Sequence, residues 1–177
     1  MIAGSHAVLW LRLDRPGNDA CRFAEAEGGF LIDGSATDAA WNVTRYRVRA
    51  RDDGSTRRAR IGANSRIFIA RAPDGSWTLN GTAVPAVAGA LDIDLGFTPA
   101  TNTLALRRLR LAVGDEARLL AAWFDPEDAR LKPLRQSYRR SGTDSYSYAS
   151  ETGFSARLKV DAQHIVREYE GLWRAQA

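Results

Sequence analysis

The sequence contains few of the residues on which disulfides and metal sites depend. The 177-residue chain has one cysteine, Cys21, and two histidines, His6 and His164. A single cysteine excludes an intramolecular disulfide, and two distant histidines without a neighbouring cysteine lack zinc-ligand spacing. We therefore expect no metal site, and a chain long enough to fold through its own core.

Long apolar runs are also absent. No segment reaches the roughly 18 apolar residues of a membrane-spanning helix. Residues 1–14 lack the basic stretch and apolar core of a signal peptide. The sequence thus predicts a cytoplasmic protein with no integral membrane segment, and it does not specify an oligomeric state.

The charge pattern argues against nucleic acid as a partner. The net charge is +4, and of the 25 basic residues only Lys132 and Lys159 are lysines, a usage typical of a high-GC genome. The arginines are interleaved with acidic residues rather than gathered on one face. The densest basic run has strand-like alternation, which favours a solvated outer face over a phosphate-binding one. Its members are Arg45, Arg47, Arg49, Arg51, Arg57, Arg58 and Arg60.

Catalytic motifs are missing as well. The chain contains no G-x-S-x-G, P-loop or G-x-G-x-x-G sequence. A serine hydrolase would need His6 or His164 to meet a serine and an acid, and no local pattern supports this. We assign no catalytic residues and expect no cofactor.

Turn signals recur through the chain at the spacing of an all-β protein. Sequences such as Asp52–Ser55 and Asn80-Gly81 separate short strand-like runs at intervals of about 8–12 residues. No long helical period, internal repeat or linker interrupts them. We predict a single domain over residues 1–177, all-β, built as a large curved antiparallel meander. It should form a barrel or half-barrel with at most short helical turns.

The central stretch, residues 91–111, concentrates the polar residues of interest. Asp92 and Asp94 alternate with apolar residues, so both carboxylates should share one face of a strand. Pro99 then fixes a turn. Residues 107–113 alternate again, which predicts a second strand and makes the stretch a hairpin.

The predicted hairpin would bring the two aspartates towards Arg107 and Arg108. One interpretation is an ion-paired hairpin that fixes strand register. The other is a polar anchor at the mouth or floor of a ligand cavity. A metal-binding D-x-D of a sugar-nucleotide enzyme is disfavoured, because strand alternation already explains the spacing.

A large curved sheet must have its concave face filled by side chains, a helix or a ligand. The sequence offers few helices, so we expect an apolar ligand lined by aromatic residues, whose polar tips suit amphipathic molecules. An ordinary place in the core is the alternative for each of them. The candidates are Trp10, Trp41, Trp77, Trp123, Trp173, Tyr138, Tyr146 and Tyr148.

The run DIDLGFTPATNTLALRRL, residues 92–109, resembles the hallmark of a bacterial glycolipid-binding family, formerly a domain of unknown function. That hallmark reads D-x-D-L…T-P-x-T-N-T-L-P-[IL]-R-R-L. The resemblance extends over nearly the whole chain, through Trp10, Trp77 and the pair Gln136 and Tyr138.

The resemblance implies a large antiparallel β fold, similar to the half-barrel carriers that move bacterial lipoproteins, and a lipid- or glycolipid-binding role. Ala90 stands where the family often has cysteine. Ala105 and Glu170 stand where it commonly has proline. These departures affect local backbone rigidity and leave the charged and amide residues in place.

Our leading hypothesis is a non-enzymatic protein that holds a lipid or glycolipid in an apolar cleft. The predicted ligand-binding residues join a polar anchor to flanking aromatic and amide groups: Asp92, Asp94, Asn102, Arg107, Arg108, Trp10, Trp77, Gln136 and Tyr138. One alternative is a hydrolase or transferase acting on a lipid-like or sugar substrate, with Asp92 or Asp94 as acid/base. A second is a structural or interaction protein with a filled core.

These hypotheses predict different sites. A binding protein should have an apolar cavity with the motif residues at its rim. An enzyme should have a carboxylate with a raised pKa in an open cleft. A structural protein should lock both aspartates into arginine pairs.

Overall fold

A computed structural model describes residues 2, 4–62 and 66–176, which form fifteen strands, one α-helix and one 3-10 turn. The helix, α1, spans Asn102–Leu109, and the 3-10 turn spans Pro85–Val87. The strands are β1 (Ser5–Arg12), β2 (Asn18–Ala26), β3 (Gly29–Thr37), β4 (Val43–Arg51), β5 (Thr56–Ile61), β6 (Ile67–Arg71), β7 (Trp77–Leu79), β8 (Thr82–Ala83), β9 (Asp92–Leu95), β10 (Glu116–Asp125), β11 (Arg130–Arg140), β12 (Ser145–Ser150), β13 (Ser155–Val160), β14 (Val166–Tyr169) and β15 (Trp173–Ala175).

All the strands of the described residues belong to one sheet. Its order is β8-β7-β6-β5-β4-β3-β2-β1-β15-β14-β13-β12-β11-β10-β9. The first and last strands therefore lie side by side in the middle, while β8 and β9, which are consecutive in sequence, form the two edges. The sheet is long, curved, mostly antiparallel and not closed, which confirms the predicted all-β half-barrel.

Strand alternation is visible in the burial of β4. Tyr46 and Val48 are buried, whereas Arg45 and Arg47 are exposed, as a two-residue period requires. The β7–β8 connection is the tight hairpin predicted at Asn80-Gly81, where both residues have positive φ angles of 50° and 83°. Local residue choice thus accounts for both the strand and the turn.

The segment after β9 is helical, so the prediction of a strand over residues 107–113 was wrong. Leu104, Ala105 and Leu106 are consecutive and all buried, which no strand with one solvated face allows. Leucine, alanine and arginine also favour helix. Since β9 and β10 pair in parallel, they need a crossover rather than a hairpin, and α1 lies in that crossover.

The chain between β8 and β9 crosses from one edge of the sheet towards the other. The Thr56 amide on β5 donates to the Leu91 carbonyl at 2.8 Å, and the Ile93 amide donates to Thr56 Oγ1 at 2.9 Å. Together with α1, this segment occupies part of the concave space that the sequence left for a ligand. No helix in the described ranges has the length and apolar character to cross a membrane.

Candidate functional site

Asp92 is held in a buried ion pair. Arg108 Nε donates to Asp92 Oδ1 at 3.1 Å, and Arg108 Nη2 donates to the other carboxylate oxygen. Asp92 is 2% exposed. Burial raises the pKa of Asp92, and the hydrogen bond and charge of Arg108 oppose that rise. The pair fastens the last turn of α1 to β9, as predicted for these two residues but through a helix instead of a hairpin.

Asp94, two residues along the same strand, has no arginine partner among the described residues. Gln136 Nε2 donates to Asp94 Oδ2. Burial raises the pKa of Asp94 to about 6; the Gln136 hydrogen bond opposes the rise, and the negative charge of Asp92 adds to it. The carboxylate is therefore poised to change charge near neutral pH.

A directional chain of hydrogen bonds ends on Asp94. Asn102 Nδ2, at the start of α1, donates to the Tyr138 hydroxyl at 2.9 Å. Tyr138 in turn donates to Gln136 Oε1 at 3.4 Å, and Gln136 donates to the carboxylate. Tyr138 and Gln136 each accept one hydrogen bond and donate the next. The chain therefore fixes the orientation of the Gln136 amide, with its N–H directed at Asp94.

Asp94 lies at a pocket of about 270 Å³. The pocket is open to solvent, and its walls are mainly apolar and aromatic. Pairing of β11 with β12 places Gln136 opposite Ser150 and Tyr138 opposite Tyr148, which puts these side chains on one face. The lining residues are Asp94, Leu95, Gly96, Thr98, Asn102, Trp123, Leu134, Tyr148, Ser150, Thr152, Phe154, Tyr169, Leu172 and Trp173.

Aromatic rings form one wall of this pocket. The ring centroids of Tyr148 and Tyr169 are 6.0 Å apart, and those of Phe154 and Tyr169 are 6.1 Å apart, both within the range of edge or tilted packing. Gly96 and Trp123 also line the pocket, and a Cβ added to Gly96 would lie 2.6 Å from Trp123 Nε1. Glycine is thus required there for the indole to lie against the end of β9.

Behind the pocket lies a buried polar cluster that the sequence analysis missed. Asp19 is fully buried; the Thr98 hydroxyl donates to its Oδ2, and the Tyr46 hydroxyl donates to the same oxygen at 2.6 Å. Burial raises the pKa of Asp19, and these two hydrogen bonds oppose the rise. The cluster ties the turn before α1 to β2 and β4. Its signal in the sequence was the i, i+2 register of Asp19 with Cys21 and Phe23, all on the inner face.

Three other predicted site residues lie elsewhere. Arg107 donates to the Gln163 carbonyl at 2.8 Å and lines a separate open cleft of about 390 Å³. The indole N–H groups of Trp10 and Trp77 donate to backbone carbonyls at 2.8 Å and 3.0 Å, and both rings are buried in the core. The structure therefore gathers Asp94, Asn102, Gln136 and Tyr138 in one hydrogen-bonded chain. Among the described residues, the Asp92–Arg108 pair lies next to this chain without a hydrogen bond to it, and Arg107, Trp10 and Trp77 bond to backbone carbonyls instead. The residues described include no group of three or more metal-ligating side chains placed to hold an ion.

Comparison with known proteins agrees with this architecture. Residues 7–175 match the protein family described as "Putative glycolipid-binding". The fold is similar to the crystal structure of a DUF1089 family protein from Pseudomonas aeruginosa, with a TM-score of 0.68 and 29% sequence identity, over 98% of this chain and 93% of that one. No curated protein matches the sequence. Since the family match spans nearly all of the chain, the protein belongs to this family.

Proposed function

We propose that the protein binds the sugar head group of a glycolipid in the pocket at Asp94. The observation that carries the proposal is a carboxylate with one ordered donor, Gln136, at an aromatic-walled pocket. A sugar ring offers hydroxyl donors to such a carboxylate and a C–H face to the rings. Ionised carboxylates form stronger hydrogen bonds to hydroxyls than neutral acceptors do.

The size of the pocket favours a head group over a whole lipid. Its volume of about 270 Å³ lies just under the range of roughly 300–1,000 Å³ typical of drug-sized ligands. One hexose ring fits such a space, whereas two acyl chains do not. Acyl chains would leave through the open side of the pocket, whose lining includes Phe154, a ring that is 39% exposed.

The proposal is tested by calorimetric titration with alkyl glycosides below their micelle concentration. An alkyl glucoside should bind, and a sulfobetaine with the same alkyl chain should not. Asp94→Asn should weaken glucoside binding about tenfold to a hundredfold, the range for a lost charge-assisted hydrogen bond. Asp144→Asn, in an exposed turn, is the matched control and should bind as the wild type does.

Binding should also depend on pH. Since the pKa of Asp94 is raised to about 6, the carboxylate is ionised above that pH and protonated below it. Affinity for the glucoside should therefore fall between pH 7 and pH 5, and this dependence should vanish in Asp94→Asn. Equal affinity for glucoside and sulfobetaine, or a pH profile unchanged by the substitution, would contradict a sugar site at Asp94.

A second candidate function is hydrolysis with Asp94 as general acid. The raised pKa of a carboxylate in an open pocket is the feature that favours it. Asp92 would contribute nothing as a second carboxylate, because Arg108 holds both of its oxygens. Release of nitrophenol from nitrophenyl glycosides, abolished in Asp94→Asn, would support this function; binding without turnover supports the carrier.

A further inference from the structure

Four arginines surround a small recess on the outer face of the sheet. Arg47 and Arg49 of β4, with Arg58 and Arg60 of β5, line a recess of about 100 Å³. The strand register sets Arg47 opposite Arg60 and Arg49 opposite Arg58. The recess lies on the side away from the core, because the residue between the first two, Val48, is fully buried.

This cluster holds more positive charge than its neighbours balance. Like charges placed directly opposite each other destabilise a strand pair. In the part of the chain that the structure describes, one acid pairs with the group: Asp33 Oδ2 accepts from Arg47 Nη2 at 2.6 Å. Partial burial, followed by the charges of Arg49 and other neighbouring arginines, lowers the pKa of Arg58. A bound anion would relieve this repulsion.

The geometry points to a phosphate-type oxyanion. Guanidinium groups present planar pairs of N–H donors that match phosphate oxygens, and they do so better than lysine does. A recess of about 100 Å³ bounded by four such groups has room for one tetrahedral anion. We propose that it binds the phosphate of lipid head groups and so docks the outer face of the sheet on an anionic membrane.

Exposed apolar side chains at the β3–β4 loop end of the same sheet favour a membrane as the source of that phosphate. Val43 begins β4 and is 53% exposed, about 13 Å along the strand from Arg47. At the tip of the β3–β4 hairpin, Trp41 is 80% exposed. On β1, Leu11 lies in the same cross-strand row as Val43 and is 40% exposed. Tryptophan and aliphatic groups beside arginine suit a bilayer surface, and the phosphates of a nucleic acid duplex would leave them in water.

This site is separate from the glycolipid pocket. The recess lies on the outer face of β4–β5, whereas Asp94 and its partners lie on the inner side of β9–β12. Membrane docking therefore neither requires nor tests sugar binding, and either proposal can fail alone.

The test is co-sedimentation of the full chain with vesicles. One set contains phosphatidylcholine alone, and the other contains phosphatidylcholine with phosphatidylglycerol. The wild type should sediment with the second set and not the first. Arg49→Gln/Arg58→Gln should lose binding by about fivefold per arginine. Arg118→Gln/Arg139→Gln carries the same charge change on exposed positions of β10 and β11, and should retain most of the binding.

Two further arms separate the sources of the anion. Trp41→Ser should reduce vesicle binding and leave calorimetric binding of inorganic pyrophosphate unchanged. Pyrophosphate binding without any vesicle binding would overturn membrane docking, as would binding of duplex DNA by a protein that ignores the vesicles. Equal losses in the two double arginine variants would overturn the assignment of the recess itself.

Discussion

Asp92 and Asp94 are two residues apart on one strand, yet their surroundings give them different roles. Arg108 donates hydrogen bonds to both carboxylate oxygens of Asp92, whereas the neutral amide of Gln136 donates to one oxygen of Asp94. The first arrangement is what a structural ion pair requires. The second leaves a carboxylate with spare acceptor capacity at a pocket, an arrangement that costs the fold stability.

At this scale, Asp94→Asn should make the protein more stable at neutral pH. The pKa of Asp94 is raised from 3.8 to about 6, so the folded state binds more protons than the unfolded state between those values. Stability therefore falls as pH rises through this window, by up to about 3 kcal/mol, and stays reduced above it. Asparagine carries no charge, so the variant does not lose stability in this way as the pH rises.

Urea unfolding of wild type and variant at pH 4 and pH 7.5 measures this difference. The variant should gain stability at pH 7.5 and show little difference at pH 4. Asp144→Asn provides the control for loss of an exposed carboxylate. If the stabilities of wild type and Asp94→Asn changed in parallel between pH 4 and pH 7.5, the pH dependence of the wild type would not come from a raised pKa of Asp94.

Removing Arg108 should be far more damaging than removing both members of its pair. Asp92 is 2% exposed, and Arg108→Gln would leave its carboxylate without its ion-pair partner, a loss of about 3–5 kcal/mol. Asp92→Asn/Arg108→Gln removes the stranded charge and should recover a large part of that loss. A double-mutant cycle by urea unfolding at pH 7 gives the coupling, and a cycle with no coupling would count against a structural pair.

At the scale of elements, α1 ends on a strained residue. Arg110, directly after the helix, has a φ of 48° in the left-handed region. Glycine adopts that conformation without a Cβ penalty. Arg110→Gly should therefore stabilise the protein by about 0.5–1 kcal/mol, measured by urea unfolding.

The matched control for this change is Arg118→Gly, which removes the same exposed side chain from an ordinary strand position in β10. There glycine should destabilise, because it loses more backbone entropy on folding and packs nothing. If both substitutions shifted stability in the same direction, the conformation assigned to the end of α1 would be wrong.

Sequence reasoning worked where one physical rule decided the structure. Alternation alone predicts β4, and Asn80-Gly81 alone predicts the β7–β8 turn. It failed at residues 102–109, because a helix buried against the inside of a sheet is apolar at positions that also fit a two-residue period. The burial that distinguishes the two comes from strands distant in sequence.

The candidate site was predictable to a similar extent. The resemblance singled out Asp94, Asn102, Gln136 and Tyr138, which the structure places in one hydrogen-bonded chain. The separation of Asn102 from Arg107 could not be read from the sequence, because both lie in one motif, within residues 92–109. Their divergence follows from the helical turn of α1, which points successive side chains in different directions.

At the scale of the molecule, the centre of the sheet is its most distant pairing in sequence. β15 pairs with β1, and Trp173 at its start is buried beneath the Arg12 guanidinium, which lies 5.0 Å from the ring centroid. Loss of β15 would divide the sheet in its middle, whereas loss of β8 or β9 would only remove an edge strand.

Deletion of residues 171–177 should therefore abolish cooperative unfolding, as followed by circular dichroism during heating. Arg174 is an exposed residue of β15, and Arg174→Ala leaves the backbone pairing intact. This variant should unfold cooperatively, near the wild-type midpoint. A truncated protein with a wild-type transition would show that the two halves of the sheet are stable without their central joint.

The pairing of β15 with β1 also determines when the sheet can be completed during synthesis. β15 leaves the ribosome after the other strands, although its place is in the middle of the sheet. Until it emerges, one side of β1 has unpaired backbone groups that can pair with a neighbouring nascent chain. The fold can be completed only late in synthesis, because the two strands that join its halves are separated by nearly the whole length of the chain. Shielding of β1 during translation should therefore raise the yield of folded protein more than shielding of any other strand.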